Sequence, residues 1–71
     1  MKLHDVVALL IDLPQHNLRR GQVGTIVEEW QPGMYEVEFV DADGCTYAMA
    51  AVSSEFLITL HYQPEGAQRS A

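Results

Sequence analysis

In Met34-Tyr35-Glu36-Val37-Glu38-Phe39-Val40, apolar Tyr35, Val37 and Phe39 alternate with Glu36 and Glu38. Only a strand, with its period of two, gathers those apolar groups on one face and the two carboxylates on the other. One face must then be core and the opposite one wet. Turn chemistry bounds the segment on both sides. Gln31-Pro32-Gly33 precedes it, with Pro setting φ at the first corner and Gly accepting positive φ at the second. Asp41-Ala42-Asp43-Gly44 follows it, with aspartates that bond the local backbone and a glycine free to take positive φ. Two successive hairpins are therefore expected, sharing this strand.

The rest of the chain reads around that centre. Val23 to Trp30, rich in β-branched residues, is the strand that leads into the first hairpin. Cys45 to Val52 completes the second, although its alanines suit a helix as well. The run Val6 to Ile11 is the first strand; it is short for a helix and Pro14 follows too soon for extension. Between Pro14 and Gly21 lies a polar surface loop pinned by Leu18. Ser53 to Phe56 reads as one short helical turn, and Leu57 to Tyr62 as the fifth strand. Beyond Pro64 no apolar periodicity remains. The expectation is an all-β, five-stranded, SH3-like, partly open barrel over residues 1–62, with one helical turn before the last strand, and a disordered tail over 63–71. An OB-fold is the alternative, but it needs longer strands and a fuller helix.

A chain of 71 residues holds one core. Its hydrophobic and charged shares, 48% and 20%, argue against disorder of the body. Cys45 is the single cysteine, which rules out an intramolecular disulfide and a cysteine zinc cluster, and fits a reducing compartment. Self-association is then the available aid to a small core. No signal-peptide pattern precedes the first strand, and no run approaches the roughly 18 apolar residues of a membrane span; a cytoplasmic protein is expected, with no membrane partner. The formal net charge of -6 repels phosphate backbones and attracts basic surfaces, so nucleic acid is disfavoured.

Gly21-Gln22-Val23-Gly24-Thr25-Ile26-Val27 resembles the Gly-x-x-Gly-x-Val strand of KOW-type modules, which are SH3-like. Together with Asp5 to Leu10, Asp12-Leu13-Pro14, Leu18 to Gly21, Tyr35 to Phe39 and the Asp41–Gly44 turn, the body from Met1 to Leu60 resembles a family of short bacterial and archaeal proteins of unknown function. That resemblance implies a free-standing small β-barrel with no assigned activity, cofactor or catalytic residue. KOW modules bind RNA or protein through a basic loop surface. Here only Arg19 and Arg20 precede the glycines, and Glu28, Glu29, Glu36 and Glu38 offset them.

Candidate chemistry is sparse. His4, His16 and His61 have no spacing that would converge them on a metal or a nucleophile, and read as surface histidines. Asp41-x-Asp43-Gly44 lacks the later ligands of a calcium loop and reads as a turn. Cys45, with Asp43 nearby, reads as a half-buried strand residue rather than a thiolate. Trp30 is expected as partial core of its hairpin, or as an apolar contact for a peptide. No catalytic residue, cofactor or metal is assigned. The expected function is a non-enzymatic protein-interaction or accessory module. Its candidate contacts are Arg19, Arg20, Glu28, Glu29, Trp30, Glu36 and Glu38, and a basic protein is the expected partner. The alternatives are a KOW-like nucleic-acid-binding module and a subunit of a homo-oligomer or larger complex.

Overall fold

Among residues 1–61, which the computed structural model describes, strands form where β-branched or aromatic runs end in turn residues. They are β1 (Val6–Leu9), β2 (Val23–Gln31), β3 (Met34–Val40), β4 (Thr46–Ser53) and β5 (Leu57–Thr59). All pairings are antiparallel and make one five-stranded sheet in the order β4-β3-β2-β1-β5. The sheet is not closed into a barrel, since β4 and β5 each pair on one side only. No helix of the described residues is long and apolar enough to cross a membrane. The expectations for Tyr62 and for the tail over 63–71 lie outside the described residues.

β3 occupies Met34–Val40, as its alternation predicts, with Tyr35, Val37 and Phe39 buried. Residues paired across a ladder share a face, and the register sets Val37 between Ile26 and Ala50, Phe39 beside Ala48, and Tyr35 beside Val52. Val7, Leu9 and Leu57 extend this core towards β5. Both hairpin turns follow their chemistry. Gly33 and Gly44 take positive φ, and Asp41 Oδ1 accepts the backbone N–H groups of Asp43 and Cys45 at 2.9 and 3.0 Å. That second bond holds Cys45 in the turn, so β4 begins one residue later than expected and Cys45 is exposed rather than half-buried.

The other boundaries shift for local reasons too. β1 ends at Leu9, although the Leu10 N–H still reaches the Phe56 carbonyl, 2.8 Å away, in the register of the β1–β5 ladder. β5 ends at Thr59, although the Leu60 N–H still reaches the Val6 carbonyl. The helical turn before β5 is a 3-10 turn at Ser54–Phe56, and the loop after β1 contains a second one, Pro14–His16, begun by its proline. Leu13 and Leu18 exchange backbone hydrogen bonds across that turn, while Asn17 adopts the left-handed conformation that closes it. The bridge drives Leu18 into the core at 1% exposure, which is the pinning role its isolated apolar character suggests.

The sheet is closely packed at Gly24. A β-carbon there would fall 2.6 Å from Val37 Cγ1, 2.8 Å from the Glu38 carbonyl oxygen and 3.0 Å from Phe39 Cδ2. Glycine is therefore required by the close approach of β3, and φ does not enter. Gly24→Ala should cost about 1–3 kcal/mol, the usual effect of overpacking, and Leu18→Ala about 2–5 kcal/mol from the cavity it leaves. Both are read as lowered urea midpoints at unchanged slope; a Gly24→Ala protein as stable as the parent would contradict the close packing.

Candidate functional site

Strict alternation along β2 would put Glu28 on the core-facing side with Ile26, and Glu29 on the outer side. The register does otherwise. Ile26 pairs with Val37, but the next partners are Glu28 with Glu36, Glu29 with Tyr35, and Gln31 with Met34. Val27 and Trp30 are thus the extra residues of two bulges, and each bulge shifts the residues after it to the opposite face. Glu28 joins Glu36 on the outer face of the sheet, whereas Glu29 falls on the side of Tyr35.

Trp30, unpaired in its bulge, leans over the same outer face. Its indole N–H donates to Glu36 Oε1 at 2.9 Å, and the residue is 61% exposed. The expectation of a Trp packed as partial core is not met, because a bulged residue is not bound to the inward face of the pleat. Glu38 completes the group: it lies between Thr25 and Met49 in the register, and the Thr46 hydroxyl donates to its carboxylate. Glu28, Glu36, Glu38 and Trp30 therefore share one face of the β2–β3 hairpin.

Glu29 falls on the other face, and Arg19 and Arg20 stand apart from Trp30, Glu28 and Glu36. The arginines precede β2 and Trp30 comes near its end, so about 25 Å of strand separates them. Their backbone N–H groups are tied to Gln22 Oε1 (2.6 Å, from Arg19) and Asp12 Oδ1 (2.8 Å, from Arg20). Among the described residues the only ion pair is Lys2–Asp5, at 3.3 Å, so neither arginine balances a hairpin glutamate. The Lys2 backbone N–H, helped by the Lys2 ammonium, holds the Asp5 carboxyl below its usual range. A shallow, open depression of about 340 Å³ beside Arg19 is lined by Asp12, Pro14, Asn17 and Leu18. Its floor is the loop that Leu18 pins to the core.

No group of three or more His, Cys, Asp or Glu able to hold a metal occurs among the described residues. The apolar part of the outer face escapes a reading of the sequence. Val23, Met49 and Ile58 are all exposed there, each alternating with buried neighbours on its strand. That alternation is the available signal, but in β4 it is muted by alanines.

Two carboxylates directly opposite on neighbouring strands repel. Glu28 and Glu36 are such a pair, and no cation is tied between them. Glu28→Gln should accordingly raise stability by roughly 0.2–1 kcal/mol, measured as a higher urea midpoint at low salt that converges on the parent's at high salt. An unchanged or lower midpoint would show that the pair carries no strain.

Comparison with curated proteins and with solved structures finds no match. A family described as a domain of unknown function, DUF4926, matches residues 3–59, which takes in all five strands and both 3-10 turns. The chain belongs to the DUF4926 family.

Proposed function

We propose that this chain is a non-enzymatic interaction module whose outer β2–β3 face receives a basic segment of a partner protein. The observation that carries the reading is the exposed Trp30, oriented by its hydrogen bond to Glu36 beside Glu28 and Glu38. A large ring left in water with a fixed orientation is the kind of side chain that supplies most of the energy at protein interfaces. Uncompensated carboxylates around it steer a cationic partner and set its register. Stability alone does not account for the arrangement, since the glutamate pair opposes folding and the indole is mostly unburied.

Two finer readings go with it. The strand order, with β1 between β2 and β5 and a 3-10 turn just before β5, supports describing the sheet as an SH3-like, partly open barrel. The KOW-like nucleic-acid reading has less support: the two arginines are separated from the rest of the candidate site, and the net charge is -6.

Affinity capture from the native host with parent, Trp30→Ala and Glu36→Lys baits tests the proposal. The expected result is a basic protein held by the parent, lost at least tenfold by both variants and weakened by raised salt. Capture that persists equally in both variants would overturn it, as would RNA retained through Arg19 and Arg20.

A further inference from the structure

Among the described residues β4 is the long edge of the sheet, and the usual protections are missing from it. Proteins blunt free edges with charge, proline, shortness or a covering element. At the opposite edge β5 has only 3 residues, but β4 has 8, and the sequence from Cys45 to Ser54 contains neither charge nor proline. The register irregularity of the β3–β4 pair is confined to the Phe39/Val40 end, so the strand from Ala48 onward pairs regularly.

Its backbone direction follows from one bond. The Ser54 N–H donates to the Gly33 carbonyl across the hairpin at 2.8 Å. Backbone groups of an antiparallel strand alternate in direction, so Met49, Ala51 and Ser53 turn their N–H and C=O groups away from β3, where no other described strand pairs with them. Met49, at 47% exposure, and Ala51 also carry their side chains on the outer face, beside Glu38 and Glu36 respectively.

We propose that two copies of this chain pair antiparallel along β4, about a two-fold axis at Ala50, to make one continuous sheet. Paired residues must share a face, and this register achieves it while matching large side chains to small ones. Met49 of each copy lies against Ala51 of the other on the outer face, and Val52 against Ala48 on the inner face. A second copy is the occupant that charge selects. A basic segment finds no carboxylate on the edge itself, whereas another β4 brings the same uncharged row. Glu36 and Glu38 sit one strand further in, which leaves the carboxylates of the two copies about 14 Å apart across three strand spacings. That exceeds the screening length of about 8 Å at physiological salt. The small contact area of an edge pairing makes the dimer concentration-dependent.

Sedimentation velocity of the full chain from micromolar to millimolar concentration is the test, with far-UV circular dichroism to verify folding of each variant. The parent should shift from monomer to dimer, undiminished by about 0.5 M salt, as an uncharged contact requires. Met49→Lys and Ala51→Lys, two independent outward changes on the edge, should each weaken the dimer at least tenfold. Ile58→Lys on the far edge and Trp30→Ala on the hairpin should leave it intact; the latter separates this proposal from the basic-partner reading. A parent that stays monomeric throughout would overturn the pairing. So would folded edge variants that dimerise like the parent, or a dimer lost in Ile58→Lys.

Discussion

The approach of β3 to Gly24 governs the middle of the sheet. Val37 and Phe39 fill the space where a side chain of β2 would otherwise stand, so the core is packed directly over the backbone of the central strand. Interiors are close-packed, and a single added methyl group is felt when its neighbours cannot retreat. Here one neighbour is a backbone oxygen and another is the fully buried Phe39. β2 must lie flush on β3 at Gly24, and Val7 of β1 is aligned against the same residue from the other side. The positions of three strands thus meet at one residue that has no side chain.

Away from that point β2 is irregular, and the irregularity makes the candidate site. Near Gly24 the strand is a regular member of the sheet; beyond Ile26 two bulges re-aim the remaining side chains of the strand. The effect is to move a carboxylate onto the face that already holds Glu36 and to free Trp30 from the pleat. Functional sites are where local regularity is commonly given up. The hairpin shows both sides of that exchange, with like charges set opposite each other and an aromatic ring left in water, supported by a core built from the other face.

The sequence was most legible where periodicity and turn chemistry agreed. Tyr35, Val37 and Phe39 with their flanking Pro32-Gly33 and Asp41–Gly44 turns placed β3 to the residue. Leu18 stood out as the lone apolar residue of a polar loop and is buried accordingly. The glutamates were recognisable as an acidic hairpin, but their division between faces was not. A bulge adds one residue to one strand without any composition of its own, so Glu28 and Glu29 exchange sides with no local mark in the sequence. The reading of Trp30 as partial core fails for the same reason, whereas its reading as an exposed apolar group does not. The arginines, close to the glycines in sequence, are carried to the far end of β2 by the length of that strand, which counting neighbours along the chain does not reveal. Strand order was equally out of reach of local patterns, because the β1–β5 pairing joins residues near opposite ends of the described segment.

That last pairing has a consequence for how the molecule comes to be folded during synthesis. β2, β3 and β4 follow one another through tight turns and pair on the microsecond scale of hairpins once they are free to do so. β1 is made first, yet its second neighbour does not exist until residue 59 has been added. Until then β1 has only β2 beside it, and the backbone groups of Val6 and Ala8 that will face β5 are bare. The three residues of β5 therefore act as a latch, and a chain cut short before them leaves β1 open on the side that the whole sheet covers.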